Sequence, residues 1–426
     1  MQTLYDAMWR ELGLDMEAHA GLLDFLGKAY RDIFLPQPNR PKAMGYFDFV
    51  VSEIHGLRVK ELLEAKAAGK KVIATFCVFV PEEVVLAAGG VAIGLCGGAE
   101  VGFDKAEKHL PQNTCALIKS FFGFKLARLC PYIEVADLVV GETTCDGKKK
   151  AYEVFGELAP VHVMELPQCK GPADRSLWRS ELGKFVGILE DLTGRQITAE
   201  NLRGGIATVN AKRAALNRLA ALRAADPAPI SGLDALLINQ ISFYDDPARF
   251  TSSVNALCDE LDERVAAGTG VAPKGTTRLI VSGSPMAIPN WKVPLAAETS
   301  GAVIVGEESC VGSRNSRDLV DGSPEDLGGL LDSLAARTLK IECACFSPNP
   351  ERLDTVQSMA RVLKADGVIH YNLLFCTPYA AESFQAKKAL EKSGIPLLRL
   401  ETDYSQDFGQ VKNRVEAFVE MVGDRE

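Results

Sequence analysis

The sequence predicts an α/β protein of two related, doubly wound parallel-sheet lobes with a helical region between them. Three observations carry this expectation. First, β-branched runs that end in small or sulfur-bearing residues recur, each leading into a helix start: KKVIATFC (70–77), ADLVVGETTC (136–145), TSGAVIVGEESC (299–310) and ADGVIHYNLLFC (365–376). Strand followed by helix is the unit of a parallel sheet. Second, the pattern lapses from about 176 to 270, where SLWRSELGKFVGILEDL and AKRAALNRLAALRAA read as helices interrupted by DPAPIS. Third, the flanking segments echo one another. ADLVVGETTC resembles ADGVIHYNLLFC, and Cys115 to Cys145 spans 30 residues where Cys345 to Cys376 spans 31.

In chain order, residues 1–175 are expected to hold N-terminal amphipathic helices, punctuated by PQPNRPK (36–42), and the first lobe. Residues 176–275 form the helical connection and 276–426 the second lobe. The apolar stretch 72–98 is long enough to cross a bilayer, but Pro81, Glu82, Glu83 and two Gly-Gly pairs divide it. It reads instead as strand, helix and strand: VIATFC, then PEEVVLAAGG with proline in its first turn and acids at its positive end, then GVAIGLC. The second lobe follows with TTRLIVSGSP (276–285), TSGAVIVGEESC, ARTLKIECACFSPNPER (336–352) and ADGVIHYNLLFC.

Composition bounds the function. The 426 residues are 47% hydrophobic and 24% charged, the balance of a folded globular protein. A net charge of -9 with scattered basic residues leaves no footprint for a nucleic-acid backbone. Asp6, Arg10, Glu11 and Asp15 interrupt any secretory h-region, so a cytoplasmic location without membrane attachment is expected. Eleven cysteines, an odd number in such a chain, then point to metal rather than to disulfides.

GETTCDGKKK (141–150) resembles a phosphate loop, but five residues separate Gly141 from Gly147 and Lys149 stands where a Walker hydroxyl belongs. What the loop presents is Cys145. Cys77, Cys145, Cys310 and Cys376 all fall at strand carboxyl ends, where open α/β sheets gather ligands, with Cys115 and Cys345 on neighbouring segments. No CxxC pair occurs, which disfavours structural zinc. Three thiolates per lobe suit a [4Fe–4S] cube with one iron open to chemistry. Cys96, Cys130, Cys169 and Cys258 read as ordinary thiols.

At these residues the chain resembles the 2-hydroxyacyl-CoA dehydratase and benzoyl-CoA reductase superfamily, and within it the double-cubane cluster proteins. The matching stretches are ATFCVFVPEEVVLAAGG, NTCALIKSFFG, GETTCDGKKKAYE, GEESCVGSR and NLLFCTPYAAES, which together span residues 74–383. The resemblance implies a homodimer whose [8Fe–9S] double-cubane iron–sulfur cluster, two [4Fe–4S] units bridged by sulfide, lies between the lobes. Cys77, Cys115 and Cys145 would hold one cube, and Cys310, Cys345 and Cys376 the other. Cys345 is preferred over Cys343 for its spacing to Cys376, although strand periodicity does not choose between them. The resemblance also implies a separate dimeric ATP-hydrolysing iron–sulfur reductase as electron donor, and small-molecule test substrates such as acetylene, azide or hydrazine. The alternatives are a 2-hydroxyacyl-CoA dehydratase subunit with a single [4Fe–4S] cluster, paired with an unlike chain, and a non-enzymatic cluster carrier.

Among smaller signals, Lys148, Lys149 and Lys150 read as a solvated face, and Glu82 and Glu83 as complements to a helix dipole. His109, His162 and His370 read as packing or surface residues, and SGSPMAIPNW (282–291) as a loop able to wall a pocket. No nicotinamide, zinc-protease or serine-hydrolase motif occurs.

Overall fold

The structure, a computed structural model, describes residues 4–405 and 407–424. Two four-stranded, all-parallel sheets organise it. The first contains β1 (Val72–Thr75), β2 (Val91–Gly94), β3 (Leu138–Glu142) and β4 (Val161–Met164) in the order β2-β1-β3-β4. The second contains β5 (Thr277–Gly283), β6 (Ala302–Glu308), β7 (Gly367–Leu373) and β8 (Leu397–Thr402) in the order β6-β5-β7-β8. Counted within each lobe, both orders are 2-1-3-4, so the expected repeat is a repeat of topology. The winding direction reverses between β1 and β3 and again between β5 and β7, which opens a crevice beyond the strand ends at each reversal.

The strands form where β-branched residues can be buried on both faces: β6 and β7 are buried along their whole length. The stretch 72–98 divides as its prolines and glycines dictate, into β1, the helix Glu82–Ala87 with Pro81 as its N-cap, and β2. The structure adds β4 and β8, which the apolar pattern did not disclose. Both are edge strands, β4 is four residues long, and β8 alternates with exposed polar positions.

The helices Pro172–Thr193, Ala199–Leu222, Gly232–Ile241 and Pro247–Ala266 lie in sequence between the sheets, with DPAPIS in the break after Leu222. Ala199–Leu222 ties this region to the first lobe. Gly205 faces the carbonyl of Glu83, where an added Cβ would come within 2.4 Å of the oxygen, so only glycine permits the close crossing. N-terminal residues Phe34, Met44 and Phe47 pack in the core of the second lobe, and the Phe34 ring meets Trp291 edge-on at 4.9 Å. Leu22, Val59 and Leu62 pack with the first.

Glu83 is buried and its carboxylate meets Arg213 Nη1 at 2.6 Å, while Glu82 pairs with Lys212. Burial alone would raise the Glu83 pKa; Arg213 and Arg337 outweigh it and hold the group below the usual carboxylate range. Such a depressed group contributes stability above its unfolded pKa, lost as pH falls through the folded value. Arg213→Met strands the charge, so the variant is expected to lose about 3–5 kcal/mol at neutral pH. The deficit should shrink in mild acid, where a protonated Glu83 needs no partner, and denaturant melts at the two pH values check this.

Candidate metal centre

The two crevices open onto a common cavity of about 610 Å³. Cys77, Cys96, Cys115, Cys145, Cys310, Cys343, Cys345 and Cys376 all line it, so the structure brings together the six expected ligands and adds Cys96 and Cys343. Each reaches the cavity from a position set by the fold. Cys77 lies two residues beyond β1, Cys310 two beyond β6, and Cys145 and Cys376 three beyond β3 and β7. Cys96 lies two beyond β2, and is thus the counterpart of Cys310 in the first lobe. That offset was the signal available for it.

Cys115, Cys145 and Cys376 are the N-caps of the helices Ala116–Leu126, Asp146–Phe155 and Thr377–Lys392. Their sulfurs therefore sit at the positive ends of three helix dipoles, where thiolates and anionic sulfide are stabilised. Cys145 Sγ accepts the backbone N–H of Lys148 at 3.4 Å. The near-miss to a phosphate loop has its reason here: the geometry that cradles an oxyanion elsewhere holds a sulfur. Gly141 ends the preceding strand against the Tyr152 ring, where an added Cβ would come within 2.4 Å.

Neighbouring thiols pair across the lobe boundary. Cys77 neighbours Cys310, and Cys115 neighbours Cys376; Cys343 neighbours Cys345 in the same loop, each close enough to shift the other's proton affinity. The Cys376 thiol brings Cys115 down to about 7, and Cys345 brings Cys343 down to about 5, against burial that opposes both shifts. Each pair thus holds one sulfur whose affinity for its proton is lowered and one whose affinity is raised. Metal binding would release the thiol protons, because the ligand form of cysteine is the thiolate. The expected grouping of Cys77, Cys115 and Cys145 against Cys310, Cys345 and Cys376 follows lobes; the thiol–thiol contacts run mainly between lobes.

Buried cations flank the thiols on both sides. Lys148 is buried and bonded to Glu142, with its ammonium 5.8 Å from the centre of the Tyr152 ring. The reading of all three lysines as a solvated face therefore fails for Lys148: its place in the first turn after Cys145 carries it back to the end of β3, while Lys149 and Lys150 are exposed. In the second lobe Arg314 is fully buried, donating to Glu308 at 2.5 Å, to Tyr379 and, at 3.9 Å, to Cys310 Sγ. Arg352 donates to the same Glu308 at 3.1 Å, to Ser282 at 2.9 Å and to Glu382. Burial would raise the Glu308 pKa, yet the two guanidinium groups hold it below the usual carboxylate range. Tyr379 OH lies 3.6 Å from Cys343 Sγ.

The remaining expectations resolve individually. Ser284, Pro285, Ala287 and Ile288 wall the cavity, as a loop at 282–291 could. Glu82 and Glu83 take their partners from the helix Ala199–Leu222. His370 is buried on β7 against the Tyr379 carbonyl at 3.1 Å; His109 is exposed and His162 half-buried. Cys258 is buried in the core, Cys130 caps a short helix, and Cys169 donates to Ser347 O at 3.1 Å.

Among the described residues no group of three or more His, Cys, Asp or Glu side chains is arranged to hold a metal ion. Eight cysteines spread around about 610 Å³ offer room and sulfur donors for a polynuclear sulfide-bearing group rather than for a lone ion. The donor set is sulfur, the helix dipoles and buried cations oppose negative charge, and the residues present fit such a group.

Fold and site thus define a two-lobed α/β protein whose lobes enclose a thiol-lined cavity between facing parallel sheets. The chain belongs to the family described as 2-hydroxyglutaryl-CoA dehydratase, D-component, whose pattern matches residues 77–422. It is 37% identical over 365 residues to a putative dehydratase subunit, YjiM, of Escherichia coli K12, covering 85% of this chain and 94% of that one. It is 26% identical to the (R)-phenyllactyl-CoA dehydratase beta subunit of Clostridium sporogenes, over 83% of this chain and 92% of the other. One of the benzoyl-CoA reductase subunits of Thauera aromatica matches at 22% identity over 80% and 88%. No described helix is long and apolar enough to cross a membrane.

Proposed function

We propose that this protein is the cluster-bearing component of an iron–sulfur reductase, in which a double-cubane [8Fe–9S] group occupies the inter-lobe cavity. It reduces small molecules with electrons from a separate dimeric, ATP-hydrolysing iron–sulfur protein. The observation that carries the reading is the convergence of eight thiols from both lobes on one cavity, more than a single cube requires. In this reading Cys115, Cys145 and Cys376 hold one cube, and Cys77, Cys310 and one thiol of the Cys343–Cys345 pair hold the other. The chain acts in the cytoplasm as a homodimer.

When bound, the group would supply low-potential electrons at open iron sites. The chain's own residues do the rest. Helix N-termini at Cys115, Cys145 and Cys376 and the buried Lys148 and Arg314 offset the negative charge of sulfide and thiolate, which favours the reduced state. Ile118, Val311 and Leu373 line the cavity with hydrocarbon and exclude water. No Walker loop is present to bind ATP, so hydrolysis falls to the partner.

A second reading, a dehydratase subunit with one [4Fe–4S] cube, is favoured by the relatives that are themselves dehydratase subunits by name. Anaerobic purification separates the two: about eight irons per chain are expected for the double cube and about four for the single one. Reduction of acetylene or hydrazine should require both this protein and the ATPase, with ATP consumed. ATP consumption without substrate reduction would remove the catalytic reading and leave that of a carrier.

A further inference from the structure

Phe375 stands between the end of β7 and Cys376, and its backbone is left-handed at φ +65°. Among the described residues three other non-glycine residues share that conformation, each for an ordinary reason. Arg128 and Lys364 directly follow helix C-caps, where a left-handed residue commonly ends the helix, and Asn39 is a residue type that tolerates it. Phe375 follows a strand and has a bulky side chain, for which the conformation is strained. Hydrogen bonds hold it there. Leu374 N–H donates to Thr402 O at 2.8 Å, Cys376 N–H to Leu373 O at 2.8 Å, and Ala116 N–H to Leu374 O at 3.4 Å.

If the position needed only the turn, glycine would supply it without strain. The side chain therefore has its own task, and its surroundings indicate which. Phe375 lines the thiol cavity, yet is 45% exposed, so it lies where cavity meets solvent. The other aromatic residues lining the cavity, Phe76, Phe243, Tyr244 and Tyr379, are buried or half-buried. The rest of the exposed rim is small or polar: Asn113, Asp146, Gly147 and Gln168 from the first lobe, Thr377 and Ala381 from the second.

We propose that the Phe375 ring, held at the mouth by its strained turn, is the steric selector of the cavity, limiting the size of what enters. The inference rests on the proposed function for the identity of what enters, but the gate itself is a property of the chain. Phe375→Gly removes ring and strain together, Phe375→Ala removes the ring alone, and Phe375→Tyr keeps a ring of similar size.

The test labels the anaerobically purified full-length protein with N-ethylmaleimide and with a bulky polyethylene-glycol maleimide, and reads Cys96 by mass spectrometry. Cys96 lines the cavity and the proposed cluster leaves it free. Bulky-reagent labelling should rise by about tenfold in the Gly and Ala variants, with the small reagent much less affected and the Tyr variant like the parent. The Gly variant should also melt above the Ala variant, which shows that both fold and that strain was stored. Equal bulky-reagent labelling in all four proteins overturns the gate. Iron analysis of the same samples stands apart: absence of iron sinks the cluster reading while the labelling still decides the gate.

Discussion

Cys376→Ser and Cys115→Ser are each expected to remove the same half of the iron, although the two residues lie in different lobes and 261 positions apart. Their thiols are neighbours and both residues stand at helix N-caps beside the cavity, as Cys145 does. Serine leaves the cap in place but is a poor ligand for iron, so the helix is kept and the metal is not. Under the proposed function each variant should retain about four irons per chain, those of the cube assigned to Cys77, Cys310 and the Cys343–Cys345 pair. Cys77→Ser and Cys310→Ser should lose the complementary half. Iron and sulfide analysis with EPR of the reduced proteins measures this. If Cys115→Ser and Cys145→Ser behave alike while Cys376→Ser groups with Cys310→Ser, the cubes divide by lobe and the cross-lobe assignment is wrong. Unchanged iron in Cys77→Ser or Cys310→Ser removes those residues from the ligand set.

The second large effect concerns stability. Glu308→Gln should destabilise the fold by about 3–5 kcal/mol, because it leaves two buried guanidinium groups, Arg314 and Arg352, without the carboxylate they share. Arg314 is 2% exposed and Arg352 0%, so solvent cannot replace the lost partner. Glu382 still reaches Arg352, which makes Arg314 the more exposed to the loss. Replacing Arg314 by methionine in the Glu308→Gln background removes the stranded charge, and should recover part of the deficit if the charge and not the packing is responsible. Chemical denaturation of the parent, the Glu308→Gln and Arg314→Met single variants and the double variant decides the matter; additive losses would assign the effect to packing.

The sequence disclosed the sheets where the physics is local. β1, β3, β6 and β7 are runs of β-branched residues buried on both faces, and each ends in a turn and helix start. β4 and β8 escaped because edge strands need bury only part of their surface, and Leu397–Thr402 accordingly carries Arg399 and Glu401 exposed. Strand ends located four of the cavity's cysteines, Cys77, Cys145, Cys310 and Cys376, since a parallel sheet puts its loops at one edge; Cys115 and Cys345 lie only on neighbouring segments. Cys96 escaped although its offset from β2 equals that of Cys310 from β6. Which thiol neighbours which was not legible at all. Spacing along a chain places a residue at an edge, but only the mutual facing of two sheets tells that Cys77 meets Cys310. Lys148 misleads for a related reason: three consecutive lysines look like one surface, whereas a helix turns them apart and buries the one that reaches Glu142.

The cross-lobe contacts also bear on how the mature protein is made. When synthesis has passed the first lobe, four of the eight cavity thiols exist; Cys310, Cys343, Cys345 and Cys376 follow only after the helical region. A nascent chain can fold its first sheet but offers incoming metal a half-built cage. Under the proposed function, loading is thus a post-translational event, and the cell must keep a cysteine-rich, empty protein reduced until delivery.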